Sequence, residues 1–388
     1  MKKKSVYQTT MICHTLKMLR YAIGATAFGS LGYLCYTKYV RHLQSKKTKT
    51  SSEESTPSLD GREGLSWMLL TDLEPDDMVA MGVLAARLDS PSYLVVGEGS
   101  ADLKGARALT YAKHLGWNET LVVKGLPSDK AFEGEEVLVE HSASLPKEVC
   151  SLKPDHFTQT DTFICLKPPR ELCAHYMAAP DDFRGKRLIL YGSFNLRTIV
   201  EKEGWEAVSW IFDESSPFRE VILYESYKAI PDAPSTSANK DNCPEFWTAL
   251  DGSIKDDIDD FDKDLCACLA TWDAAILKDC VDTMEECEAG SYGDPASEEV
   301  KARYSRNKTC RDQVMPHQGR QFVMADCVLA TVFDNPAFAP NKTPIKVTYE
   351  APYLVKTPVD DDGSTKVYTY QGMAWEDVCH HMTSMFFA

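Results

Sequence analysis

Three aspartates within six consecutive positions, Asp72, Asp76 and Asp77 of the segment TDLEPDDMVAM, are the clearest chemical signal in this chain. A short apolar run, Ser66–Leu70, precedes them, and apolar residues at helical spacing over Asp76–Leu88 follow. The three carboxylates therefore share one strand-to-helix loop and the first turn of its helix. In open α/β sheets, ligands settle beyond the carboxyl ends of strands, where loops enter helices. Carboxylates crowded into a low-dielectric cleft repel one another, so they gather around a cation or with raised pKa values. Hard oxygen ligands point to calcium or magnesium, and calcium tolerates irregular geometry better. The same residues have a plainer use, since Asp76 and Asp77 favour the positive end of a helix and Asp72 can cap it.

The elements that must position this loop follow a regular alternation. After the first strand and helix come the strand Tyr93–Gly97, the helix Leu103–Leu115 and the strand Thr120–Val123. That order implies parallel pairing with right-handed crossovers, hence an open, mainly parallel, doubly wound α/β sheet. The stretch Leu126–Arg184 lacks periodicity and reads as an irregular excursion. Order returns with the strand Arg187–Tyr191, a helix from Asn195 to about Glu203 and the strand Glu220–Tyr224. Helical patterns then cover roughly Leu265–Cys287 and Asp326–Phe333, and Ile345–Tyr370 reads as a hairpin turning at Asp361–Gly363.

Charge narrows the range of functions. The net charge of -16 hides an asymmetry: the first fifty residues hold ten Lys and Arg and no acid, leaving 32 basic against 58 acidic side chains in the rest. A body that acidic repels phosphates, which argues against nucleic acid as a partner. Residues 1–17 form a basic N-terminal segment, and 18–40 form an apolar stretch with Arg20 and Lys38 near its ends. This stretch is expected to act as a single-pass membrane anchor; secretion after signal cleavage near Ala27 is the alternative. Residues 41–64, rich in Ser, Thr, Lys and Glu toward their end, read as a flexible linker to a domain spanning 65–388. The thirteen cysteines include no zinc-type spacing. Five of them, from Cys266 to Cys310, are close enough in sequence for disulfides in an oxidising compartment. The aspartates of 256–264 fail as an EF-hand, because Leu265 stands where Gly is required.

The opening segment resembles the second half of the Asp-x-Asp-Pro-Gly-x-Asp-Asp motif of the inosine/uridine-preferring nucleoside hydrolase family, with Leu-Glu-Pro in place of Pro-Gly-x. Three later segments resemble that family in the same order. YGSFNL, Tyr191–Leu196, is similar to its Gly-Pro-Leu-Thr-Asn loop, one residue shorter. NKDNCPEFW, Asn239–Trp247, keeps the six-residue offset of its Asn-(five residues)-Glu-Phe-Asn segment. ADCVLA, Ala325–Ala330, is similar to its His-Asp-Pro-Leu-Ala segment. The resemblance implies a Ca²⁺ site made by Asp72, Asp77, the Phe194 carbonyl and Asp326, with Asp72 also acting as the base that activates water. It further implies ribose contacts from Asp76, Asn239, Glu245 and Ser100, with Glu98 as a nearby alternative to Ser100. Trp247, standing where the family has Asn, would stack on the nucleobase or fill space.

The implied activity is Ca²⁺-dependent hydrolysis of the N-glycosidic bond of ribonucleosides to ribose and free base; self-association is common in the family. Ala325 occupies the place where many members carry the His that protonates the departing base, which weakens turnover of poor leaving groups. The competing expectation is a membrane-tethered protein that binds ribose or nucleosides but turns them over poorly. His317 lies close enough in sequence to replace the missing acid, although an exposed loop histidine is the simpler reading.

Overall fold

The computed structural model describes residues 66–98, 101–126, 149–224, 237–255, 277–278, 280–291, 293–314, 321–323, 325–333, 335–351, 353–361 and 363–387. The basic segment, anchor and linker read over 1–64 lie outside these residues, as do Ser100, the Asp-rich stretch 256–264 and His317. Among the described residues, no helix is long and apolar enough to cross a membrane.

Short apolar runs become the strands of one sheet: β1 (Trp67–Thr71), β2 (Tyr93–Val96), β3 (Leu121–Lys124), β4 (Cys150–Ser151), β5 (Thr162–Cys165), β6 (Arg187–Tyr191) and β7 (Glu220–Tyr224). Two further strands, β8 (Ser237–Asn239) and β9 (Gln321–Val323), form a separate antiparallel ribbon, with Asn239 opposite Gln321. The main sheet is completed by β10 (Lys342–Glu350), β11 (Tyr353–Pro358) and β12 (Val367–Tyr370), in the order β11-β10-β12-β7-β6-β5-β1-β2-β3-β4. Pairing is parallel from β12 through β7 to β4; β10 alone pairs antiparallel, with β11 on one side and β12 on the other. The central strands are buried on both faces, so they read as continuous apolar runs instead of an alternating pattern.

Among the described residues, the helices that position the site and cover the sheet are α1 (Pro75–Arg87), α2 (Ala101–His114), α3 (Arg170–Ala178), α4 (Ser193–Glu203), α5 (Pro244–Lys255), α6 (Glu298–Val314), α7 (Ala325–Val332) and α8 (Trp375–Phe386). Two apolar cores result. One joins α1, α7 and α8 to the sheet through Met78, Val79, Val328, Leu329 and Met382; the other, on the opposite face, is built around Phe163, Phe183, Leu196 and Phe218.

Two expectations need correction. The supposed irregular excursion contains β5, a central strand between β1 and β6, and the helix α3. Four residues buried on both faces carry no period that distinguishes a strand from any short apolar run. The hairpin also turns earlier, between Glu350 and Tyr353, and Asp361–Gly363 instead leads into β12. The Asp-Gly pair suggested a tight turn, but β12 crosses over to lie between β10 and β7.

An ion pair stands behind the carboxyl ends of β2, β3 and β5. Lys167 Nζ donates to Glu171 Oε1 at 2.7 Å and Oε2 at 2.8 Å, with neither side chain exposed. Glu171 Oε1 also accepts from the Leu126 N–H at 2.8 Å. A Cβ at Gly125 would lie 2.2 Å from Glu171 Oε1, so any larger residue there would push the carboxylate out of place. Removing one member strands the other charge in the interior. Glu171→Gln is therefore expected to cost about 3–5 kcal/mol in urea unfolding, and Lys167→Met with Glu171→Leu to recover most of it. A single-substitution loss below about 1 kcal/mol contradicts a fully buried pair.

Candidate metal centre

The chain runs from β1 outward to β4 and then returns to β5 on the other side of β1. The carboxyl ends of β1 and β5 thus flank the topological switch point, where a crevice opens in a doubly wound sheet. Asp72 is the first residue past β1, and α1 begins three residues later. The turn between them is tight enough to force Leu73 to φ 57°, a left-handed conformation that a non-glycine residue adopts at a cost. Thr71 holds it: its Oγ1 accepts from the Leu73 N–H at 2.9 Å and donates to Asp77 Oδ1 at 2.5 Å.

Asp326 arrives from far along the chain, in the first turn of α7. α1 and α7 lie side by side and run the same way. At one end Cys327 Sγ donates to the Asp76 carbonyl at 3.4 Å, and at the other Arg87 Nη1 donates to the Thr331 carbonyl at 3.0 Å. Two helix N-termini therefore point their positive ends at the same place. Asp76, Asp77 and Asp326 each offer a carboxylate oxygen there, all within 4.8 Å of one another, at 5%, 1% and 6% exposure. Oxygen ligands of calcium stand at about 2.3–2.6 Å, so three oxygens this close can all reach one cation. Asp76 Oδ1 and Asp326 Oδ1 are buried and receive no hydrogen bond, as expected of atoms that take a metal instead.

Burial raises the Asp76 carboxyl to about 7, with the Asp72 charge adding to the shift. Asp77 and Asp326 are pushed well above the usual carboxylate range, first by burial and then by neighbouring aspartates, Asp72 among them. The structure thus brings Asp77 and Asp326 together and places Asp72, half-buried, beside them. It also adds Asp76, which the sequence assigned to ribose, to the set that can hold a cation.

The remaining expected residues are distributed as follows. Phe194 is the second residue of α4, whose start is tied to the end of β5 by Asn195 Nδ2 donating to the Leu166 carbonyl at 2.6 Å. Asn239 ends β8, and its ribbon partner β9 leads directly into α7. Glu245 lies exposed in the first turn of α5, its Oε2 3.1 Å from His380 Nδ1 of α8. Trp247 is 2% exposed and edge-on to Phe246, so in this arrangement its ring fills space. Ala325, at the start of α7, supplies no proton.

Sequence reasoning missed the charged network at the neighbouring strand ends. Glu98, at φ 61°, faces Arg170 at 3.4 Å, while its backbone N–H donates to the Leu126 carbonyl at 3.2 Å. The usable signal was Lys167 and Glu171 at helical spacing, opposite glycines that end two strands.

No family model matches the chain, and no curated protein matches it. Among solved structures, a plant nucleoside hydrolase is similar at a TM-score of 0.51 and 12% identity, over 84% of this chain and 100% of that one. The chain has a nucleoside hydrolase-like fold. An inosine-guanosine nucleoside hydrolase (TM-score 0.46, 11% identity, 82% of this chain and 98% of that one) also aligns. So does the inosine-uridine preferring nucleoside hydrolase from Bacillus anthracis (TM-score 0.45, 12% identity, 83% and 99%).

The acidic cluster makes a prediction about pH. An acid whose pKa rises on folding contributes stability below its unfolded value and loses it as pH climbs through the folded one. Metal-free protein is therefore expected to melt at a lower temperature at pH 8 than at pH 5, the loss falling largely between about 4 and about 7 for Asp76. A divalent cation at pH 8 should reverse the loss. Melting that is flat across this range and indifferent to cations rules out the cluster as a cation site.

Proposed function

We propose that this protein hydrolyses the N-glycosidic bond of ribonucleosides, releasing ribose and free base, with Ca²⁺ held by Asp72, Asp77, Asp326 and the Phe194 carbonyl. The observation that carries the proposal is the arrival of Asp326 beside Asp76 and Asp77 at the carboxyl end of β1. The nucleoside hydrolase-like fold supports it.

When bound, the cation supplies Lewis acidity that makes a water easier to deprotonate. Asp72 takes the proton: it is half-buried at the rim, whereas Asp76, Asp77 and Asp326 are shielded below it. Asp76 divides its oxygens between the cluster and a ribose hydroxyl, and Asn239, Glu245 and Ser100 hold the remaining sugar contacts. Fixed contacts of this kind favour the transition state as positive charge builds on the sugar ring. The excess of carboxylates also suits that charge. Ala325 offers no acid for the departing base, so ribosides with good leaving groups should turn over faster than inosine. The domain is delivered by the apolar stretch 18–40, as a membrane tether.

The absent acid also favours a second reading, a nucleoside-binding protein with impaired turnover. The two separate cleanly: a binder gains calcium-dependent thermal stability from ribose and releases no base.

The expected result is ribose release from nucleosides that stops with a chelator and returns with Ca²⁺. Asp72→Ala should lower kcat by about 10²–10⁴-fold. The same substitution removes a repelling charge, so metal-free Asp72→Ala protein should melt no lower than wild type. Equal turnover by variant and wild type rejects the mechanism.

A further inference from the structure

Buried thiols lie behind the acidic cluster and take no part in the proposed hydrolysis. Cys327 Sγ touches the Asp76 carbonyl, as described, and Cys243 lies near enough for its charge to bear on Cys327. The Cys243 and Cys379 thiols in turn interact directly with each other. These two come from separate parts of the chain: Cys243 immediately precedes α5, and Cys379 lies in α8. Their meeting is held by the neighbouring residue, because the Asn242 carbonyl accepts from Trp375 Nε1 at 2.6 Å and from Cys379 Sγ at 3.8 Å. Both cysteines are free and buried, at 1% and 6% exposure.

Most buried thiols are inert, and Cys165, Cys173 and Cys327 fit that rule, since burial pushes each of them up. Cys243 differs. The adjacent Cys379 and the Phe246 N–H, in the first turn of α5, favour its charged form, so its pKa is lowered despite burial. Two free buried thiols from separate parts of the chain thus stand together, and Cys243 is the one eased toward its charged form.

We propose that Cys243 and Cys379 form a reversible disulfide that staples α8 to the N-terminal end of α5, with a hydroperoxide as oxidant. The Cys243 thiolate attacks one oxygen of hydrogen peroxide, and hydroxide leaves and takes up the proton Cys243 gave away. This leaves a sulfenic acid at Cys243. The Cys379 sulfur attacks that sulfur, and its own proton leaves with the displaced hydroxide as water. Two thiols and one peroxide become one disulfide and two waters, and a thiol reductant restores the pair. A water-sized oxidant suits sulfur atoms this deeply placed. The staple has a direct effect on its surroundings: Glu245 and His380 flank the two cysteines and already face each other at 3.1 Å. Oxidation fixes that contact and closes the chain from 243 to 379 into a loop, which stabilises the fold by restricting the unfolded chain.

The test is to treat the reduced full-length protein with hydrogen peroxide, quench with catalase, alkylate the free thiols and map the peptides by mass. The expected product is a peptide pair joined through Cys243 and Cys379, with both residues unalkylated. The melting temperature should rise by several degrees and fall back with dithiothreitol. Cys379→Ala should abolish both the cross-link and the rise, whereas Cys165→Ala should leave them intact. Recovery of Cys243 and Cys379 as alkylated thiols, or of Cys243 joined to a different cysteine, overturns the proposal. No readout here involves nucleoside turnover, so failure of one proposal is distinguishable from failure of the other.

Discussion

Mutual repulsion among buried carboxylates is the constraint around which this molecule is organised. Asp76, Asp77 and Asp326 hold oxygens within 4.8 Å of one another in an interior that resists charge. Left ionised and unaccompanied, such a cluster would push α1 and α7 apart. The fold opposes this with two helix N-termini aimed at the cluster, the Thr71 hydroxyl on Asp77, and apolar contact between the helices through Met78, Val79, Val328 and Leu329. Partial protonation relieves the rest when no metal is bound, which is why all three carboxyls are pushed upward. A divalent cation bound there would replace those protons and draw the two helices together.

Much of this was legible in the residues, for identifiable reasons. The strands Arg187–Tyr191 and Glu220–Tyr224 agree with the structure to the residue, because long apolar runs between turn residues leave little ambiguity. The convergence of Asp326 with the opening aspartates was readable only through the resemblance, since no local pattern connects positions so far apart. β5 went unseen because a four-residue strand buried on both faces has no period. α8 escaped notice as well, although its apolar residues Trp375, Val378, Cys379 and Met382 keep helical spacing. Trp247 shows a different limit: an aromatic side chain in a binding segment and one in a core look identical until the packing is known.

Departures from the family pattern are concentrated where the backbone is strained or the chemistry is demanding. Leu73 takes a left-handed conformation one position before the point where the family motif has glycine, and it does so fully buried and pinned by Thr71. The strain is thus carried by the same hydroxyl that braces Asp77, which couples the turn to the cluster. Ala325 removes an acid without disturbing the neighbouring Asp326. The acidic residues of the resembled pattern are thus present and converge, whereas the position matched to its leaving-group histidine holds Ala325.

The most direct measurement is a calorimetric titration of the chelator-stripped protein with Ca²⁺, comparing wild type with Asp326→Asn. Convergence of the acidic residues on one ion predicts a single site per chain and protons released on binding near neutral pH, since Asp76 titrates at about 7. It also predicts loss of that site in Asp326→Asn. Undiminished binding by the variant, or none by wild type, would contradict it.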